Sequence, residues 1–264
     1  MEQKLPNALQ NINEIYELSG DKKAVLFLDY DGTLTPIVSD PEEAKLPGKT
    51  RSALEQLSKI INVAVISGRD RKDILSFIDI NTLFYAGSHG FDISGPDGME
   101  MQYEEGKKTL PSLDKAEEKL KEKLKNIKGS QLERKKYAIA VHYRNVQEEK
   151  VDELKSIVEE VLQSDEKLKK GSGKKILELK PNLNWHKGKA LQWLMKELEL
   201  SKEEYMPIFI GDDITDEDAL KAIKDYGVGI LVGSHDQETH ATYQLKDTTE
   251  VVEFLQKLQQ RLTK

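Results

Sequence analysis

Five short apolar runs, each stopping abruptly at a polar or glycine-rich corner, constrain the fold of this chain more than any other feature. They are AVLFLDYDGT (24–33), VAVISGRD (63–70), LFYAGSHG (83–90), MPIFIGDD (206–213) and VGILVGS (228–234). An apolar run without alternation reads as a strand covered on both faces, which is the condition of a parallel sheet. Helical apolar spacing separates several of the runs, at 48–60, 70–78, 187–199 and 215–224. Strand alternating with helix predicts an α/β fold built on a Rossmann-like, doubly wound and mostly parallel sheet. Leu5, Leu9, Ile12, Ile15 and Tyr16 also recur at helical spacing, so an amphipathic helix is expected to open the chain.

Between about 98 and 182 the pattern changes and charge density rises. Leu113, Ala116, Leu120, Leu124 and Ile127 form one helical stripe, and Val151, Leu154, Ile157, Val158 and Val161 form another. YAIAVHYR (137–144) and KKILELK (174–180) alternate, as strands do when only one face is covered. The segment 98–182 is therefore expected to be an inserted α+β domain, an antiparallel sheet with two helices. The core would comprise 1–97 and 183–264, with hinges near Gly95–Gly98 and Pro181–Asn184.

A chain of 264 residues can give each of two domains its own core. The absence of cysteine excludes disulfides, thiolate metal sites and thiol nucleophiles. The formal net charge is −7, and the lysines alternate with glutamates, as in AEEKLKEKLKN (116–126). That alternation describes a solvated surface, and nucleic acid is not an expected partner. The opening MEQKLPNALQ has no apolar leader and no run is long enough to cross a bilayer, so the expectation is a cytoplasmic protein without a membrane partner.

The chemistry concentrates at strand ends. Asp29-Tyr30-Asp31-Gly32-Thr33 directly follows the buried run AVLFL, and open parallel sheets place their sites beyond the carboxyl ends of strands. By strand alternation the two carboxylates point the same way, and their repulsion calls for a cation, which Mg²⁺ with its preference for oxygen ligands would supply. One carboxylate could then attack phosphorus while the other moves protons. The competing reading is a solvated Asp-Gly turn. A second acidic corner, Gly211-Asp212-Asp213-Ile214-Thr215-Asp216, closes another strand. It reads either as a helix cap or as the source of a further ligand, with Asp212 on the metal and Asp213 and Asp216 behind it. Ser67-Gly68-Arg69 offers a hydroxyl and backbone N–H groups to a phosphate, and Lys187 opens a helix where a cation could pair the nucleophile with the phosphate.

In this order, DxDGT, Ser, Lys-Gly and Gly-Asp-Asp resemble the haloacid dehalogenase superfamily. Its phosphatases share a Rossmann-like core, a Mg²⁺-dependent aspartyl-phosphate mechanism and, in one branch, a C2-type cap inserted after the third core strand. DYDGTLTPI, VISGR, SHG, ELKP, HKGKAL and GDDITDEDA together look like the trehalose-6-phosphate phosphatase family. The resemblance implies Asp29 as nucleophile and Asp31 as acid/base whose backbone carbonyl also meets Mg²⁺. It further implies Asp212 as metal ligand and Ser67 and Lys187 as phosphate holders. Where that family has an Asn-His-Gly-like corner, this chain has Ser88-His89-Gly90, and the corner's role stays open. A trehalose-6-phosphate synthase is the candidate protein partner.

In the inserted segment, Ala138, Ala140, His142 and Arg144 should share one strand face, and Ile176, Glu178 and Lys180 another. If these polar faces look on the crevice, they can hydrogen-bond sugar hydroxyls; Glu178 and Lys180 also match positions where the resemblance implies sugar contacts. Arg69, Glu178, Lys180, His142 and Arg144 are thus the candidate substrate-binding residues. The expected activity is hydrolysis of trehalose 6-phosphate. Another capped sugar phosphatase, acting on sucrose phosphate, mannosyl-3-phosphoglycerate or a hexose phosphate, and a non-catalytic sugar-phosphate-binding module remain as alternatives.

Overall fold

The computed structural model describes residues 5–38, 40–173 and 175–263. Along the chain the first elements are α1 (Ile12–Leu18), β1 (Lys23–Leu28), α2 (Gly48–Leu57), β2 (Val63–Ile66), α3 (Arg71–Ile78), β3 (Phe84–Gly87), β4 (Asp92–Ser94) and β5 (Glu100–Gln102). Next come α4 (Glu104–Lys107), α5 (Leu110–Leu124), β6 (Gln131–Lys135), β7 (Ala138–His142), α6 (Glu148–Gln163), β8 (Leu168–Gly173) and β9 (Ile176–Pro181). The chain finishes with α7 (Lys187–Glu197), β10 (Tyr205–Gly211), α8 (Glu217–Ile223), β11 (Val228–Val232), β12 (Tyr243–Leu245) and α9 (Thr248–Leu262).

Two compact units result, one from residues 1–101 and 185–264, the other from 102–184. The first unit holds a sheet of order β12-β11-β10-β1-β2-β3-β4-β5. The pairs from β12 through β3 are parallel, and β4 turns back antiparallel on β3. Alternate strand residues enter different cores. Leu26, Leu28, Val63, Val65, Ile208 and Ile210 pack with α1, α2, α3 and α9, whereas Val25, Phe27, Ala64, Ile66 and Phe209 pack with α7 and α8. Both faces are covered, which is why these strands carry no polar alternation. The chain runs outward from β1 through β2 to β3, then restarts at β10 on the other side of β1. The strand order therefore reverses between β1 and β10, the place where sheets of this class open a crevice.

The second unit is a four-stranded antiparallel sheet of order β6-β7-β9-β8. Leu113, Leu120 and Leu124 of α5 and Leu154, Val158 and Val161 of α6 pack on Ile139, Val141, Leu177 and Leu179. The alternate residues His142, Ile176, Glu178 and Lys180 are half-buried on the opposite face.

Three expectations change. The opening helix begins only at Ile12; Asn7 instead makes an isolated parallel bridge to Gln244, and Leu5 packs with the α7–α8 core rather than with Ile12 and Ile15. Pro6 accounts for Leu5, because a residue before proline is pushed out of the helical region. The strand read over 137–144 ends at His142, and Arg144 is exposed in the following turn, where strand alternation no longer assigns it a face. Gly95–Gly98 forms the turn of a hairpin between β4 and β5, closed by Gly95 N–H donating to the Met99 carbonyl at 2.9 Å. The chain passes between the two compact units after Met101 and after Asn184. Lys174, the first residue of KKILELK, lies outside the described residues.

Candidate active site

Asp29 is the first residue beyond β1, and its N–H donates to the Ile210 carbonyl of β10 at 2.9 Å. This pairing fixes Asp29 against the end of β10, and the residue is only 5 % exposed. The chain then leaves the sheet through a tight loop in which Gly32 N–H donates to the Thr35 carbonyl and Leu34 N–H to the Tyr30 carbonyl. Gly32 has φ of +78°, and a Cβ there would stand 2.0 Å from Oδ2 of Asp212. Only glycine satisfies both the left-handed backbone and this close approach. Thr33 Oγ1 donates to Asp212 Oδ1 at 3.4 Å.

The Asp212–Asp216 corner is organised by its last member. Asp216 is fully buried, and its Oδ2 accepts the backbone N–H groups of Asp212 and Asp213 at 3.1 Å each. Its Oδ1 accepts from Lys187 Nζ at 2.7 Å, and the same ammonium donates to Asp29 Oδ1 at 2.7 Å. Lys187, the first residue of α7, is 3 % exposed. Asp213 turns outward and caps the following 3₁₀ turn, its Oδ1 accepting Ile214 N–H at 2.7 Å.

Carboxylate oxygens of Asp29, Asp212 and Asp216 lie within 4.8 Å of one another. Burial pushes Asp29 well above its ordinary range; the Asp216 and Asp212 charges add to this and Lys187 opposes it. Asp212 is pushed up to about 6 by burial first and then by the Asp216 charge. Burial pulls Lys187 down, but the Asp29 and Asp216 charges outweigh it and hold the ammonium above its ordinary value. Three carboxylates thus share one lysine, a set short of positive charge and made wholly of hard oxygen donors. Such a set fits a divalent cation. Asp216 already engages both oxygens with protein donors, so Asp29 and Asp212 are the pair with carboxylate oxygens to offer.

Asp31 does not join this cluster with its side chain. Its two oxygens accept from Arg69 Nε at 2.6 Å and Nη2 at 2.7 Å, and the guanidinium lies 5.7 Å from the Tyr30 ring centroid and 5.3 Å from that of Phe77. The expected common direction of Asp29 and Asp31 fails because the strand stops at Leu28, so alternation does not carry through the loop. Ser67, at the end of β2 beside β1, is 1 % exposed, and its Oγ accepts Arg69 N–H at 3.1 Å. The same hydroxyl carries a hydrogen that can donate.

In the second unit, Glu178 stands opposite Gly171 of β8 and Ala140 of β7. A Cβ on Gly171 would lie 2.9 Å from Glu178 Oε2 and 3.3 Å from Lys180 Cε, so both side chains lean over the bare backbone of that neighbour. Lys169 pairs with Lys180 across the sheet; burial and then the Lys180 charge pull its ammonium below the ordinary value. His142 Nε2 lies 2.8 Å from Glu133 Oε2 on β6. The structure therefore brings Glu178 and Lys180 together, pairs His142 with Glu133, and sets Arg144 apart. Sequence patterning passed over Glu133 and Lys169 because QLERK and LKKGSG lack the apolar alternation that marks a strand.

A three-layer α/β unit with acidic side chains gathered at its topological switch point defines a class, the haloacid dehalogenase-like fold. The fold matches a haloacid dehalogenase-like hydrolase from Bacteroides thetaiotaomicron (TM-score 0.64, 18 % identity, 90 % of this chain and 100 % of that one). It also matches a trehalose-6-phosphate phosphatase related protein (TM-score 0.74, 26 % identity, 90 % of this chain and 97 % of that one). The trehalose-phosphatase family model matches residues 27–249. A rice (Oryza sativa subsp. japonica) relative named "Probable trehalose-phosphate phosphatase 2" is 40 % identical over 96 % of this chain and 72 % of its own length. The chain belongs to the trehalose-phosphatase family, a family of phosphoric monoester hydrolases. No helix among the described residues is long and apolar enough to cross a membrane.

Proposed function

We propose that this chain hydrolyses trehalose 6-phosphate to trehalose and inorganic phosphate through a phosphoryl-enzyme on Asp29. The observation that carries the reading is the buried Lys187 ammonium, 2.7 Å from both Asp29 and Asp216, at the ends of adjacent strands. Lys187 fixes Asp29 Oδ1, the oxygen that would also serve the ion, which leaves Oδ2 to attack phosphorus. In the first step the Oδ2–P bond forms, the bond between phosphorus and the sugar oxygen breaks, and Asp31 gives that oxygen its proton. In the second step Asp31 takes a proton from water, the water oxygen bonds to phosphorus, and the bond to Asp29 breaks. Asp31 does this only after its pair with Arg69 opens, and the freed guanidinium is then available to the substrate.

Asp29 and Asp212 would hold Mg²⁺, joined by the Asp31 backbone carbonyl as the resemblance implies, with Asp216 orienting Asp212 from behind. Bound there, the ion supplies the positive charge that the three carboxylates lack and that a transferring phosphoryl group requires. Ser67 holds phosphoryl oxygens. Specificity for the sugar is assigned to Glu178 and Lys180, where a carboxylate and an ammonium side by side suit hydroxyl groups. A phosphate-release assay on trehalose 6-phosphate, sucrose 6-phosphate and glucose 6-phosphate, with Mg²⁺ and with a chelator, tests this. Turnover should favour trehalose 6-phosphate and vanish without Mg²⁺; equal rates on all three sugars would end the substrate assignment.

A further inference from the structure

Ser88, His89 and Gly90 take three successive left-handed conformations, with φ of +51°, +57° and +92°. Two non-glycine residues in that region are costly, and such outliers persist only where surrounding contacts over-determine them. Here the corner is fastened on two sides. Toward residues 67–70, Ser88 N–H donates to the Arg69 carbonyl at 2.7 Å, Ser88 Oγ donates to Asp70 Oδ1 at 2.7 Å, and His89 N–H donates to the Ser67 carbonyl at 2.8 Å. Toward α7, Trp185 Nε1 donates to the His89 carbonyl at 3.1 Å, and a Cβ on Gly90 would stand 2.2 Å from the Ala190 Cβ.

The result of this fastening is the position of one side chain. A Cβ on Gly68 would lie 2.9 Å from Cε1 and 3.1 Å from Nε2 of His89, so the ring edge bearing Nε2 rests against the bare backbone of Gly68. Gly68 itself is not left-handed. Its missing side chain answers to the space the imidazole takes. Gly68 follows Ser67, and β1, β2 and β3 are adjacent parallel strands that end in Asp29, Ser67 and this corner in turn.

We propose that His89 is a ligand of the phosphoryl group, its imidazole N–H donating to a phosphoryl oxygen held at Ser67-Gly68. This inference rests on the phosphatase reading above and adds a catalytic-site residue to it. The backbone strain then has a purpose, since a relaxed corner would carry the ring away from the serine.

The test uses His89→Asn and His89→Gly. Asparagine and glycine both accept the left-handed backbone, so the thermal midpoint should stay close to that of the wild type, and the glycine variant removes strain altogether. For each protein, kcat and KM are measured on trehalose 6-phosphate and on p-nitrophenyl phosphate, together with the inhibition constant of inorganic phosphate. Loss of one charge-assisted hydrogen bond should raise that inhibition constant at least about 10-fold and lower kcat/KM at least about 10-fold on both esters. Wild-type phosphate inhibition in either folded variant would overturn the proposal, as would a loss confined to trehalose 6-phosphate, which would make His89 a sugar contact. Failure of the underlying reading shows separately, in the wild type. If wild-type protein cleaves p-nitrophenyl phosphate but not trehalose 6-phosphate, the substrate assignment falls while the His89 test stands.

Discussion

Replacing Asp212 by asparagine should stabilise the metal-free protein. Asp212 is held near pH 6 in the folded chain against an ordinary carboxyl value of 3.8. The folded state therefore keeps a proton that the unfolded state has released, so stability falls as pH rises from about 4 through about 6 and the full penalty applies above that window. At about 1.4 kcal/mol per pH unit the displacement corresponds to about 3 kcal/mol. Asp212 is half-buried rather than sealed, and solvent screening reduces this to about 1–2 kcal/mol. Asparagine keeps the shape and an acceptor for Thr33 Oγ1 but carries no charge. In chelator at pH 7.5, Asp212→Asn should melt roughly 2–8 °C above the wild type, the conversion expected for a unit of this size. The advantage should shrink toward pH 4. Adding Mg²⁺ should reverse the order, because the ion stabilises the wild type by binding its folded form and has lost a ligand in the variant. Thermal unfolding followed by circular dichroism, with chelator and with Mg²⁺, reads all of this. A variant that melts below the wild type in chelator, together with a wild-type midpoint indifferent to Mg²⁺, would refute the electrostatic picture of the cluster.

Three further outcomes are expected. Asp29→Asn should lower kcat by at least about 10³-fold on every phosphoester while leaving the fold intact, since it removes the attacking oxygen; a phosphate-release assay with circular dichroism as the control checks it. Lys187→Met should cost about 3–5 kcal/mol in chemical denaturation at pH 7.5, because it leaves Asp29 and Asp216 buried without their cation. Glu178→Ala should reduce kcat/KM for trehalose 6-phosphate by about 10-fold or more and leave p-nitrophenyl phosphate nearly unchanged, and equal losses on both would remove Glu178 from sugar recognition.

The strands that carry the site were legible because each is buried on both faces and ends in chemistry. AVLFL and PIFI announce themselves as central strands by lacking any polar alternation. The inward turn of Asp216 was not legible in the same way. In DDITDED five of the seven residues are acidic, and spacing does not say which one the chain folds over. Three-dimensional packing decides it, by aiming two backbone N–H groups and Lys187 at Asp216. The pairing of Asp31 with Arg69 is hidden for a related reason, since side-chain alternation does not extend past Leu28, where the strand ends. β4, β5, β6 and β8 are short and polar or border the sheet edge, so apolar patterning passes over them. Pairing partners, rather than their own composition, make them strands. The corner at Ser88–Gly90 showed only its glycine in the sequence; the left-handed serine and histidine before it follow from contacts to residues 67–70 and to α7.

The most direct measurement is a rapid acid quench of the enzyme during turnover of trehalose 6-phosphate, followed by peptide mass spectrometry. A phosphoryl group on the peptide containing Asp29, absent from Asp29→Asn and absent without substrate, is the expected result. Rapid phosphate release with no phosphorylated peptide at any quench time, or with the label on another residue, would contradict the assignment of Asp29 as the group that accepts the phosphoryl.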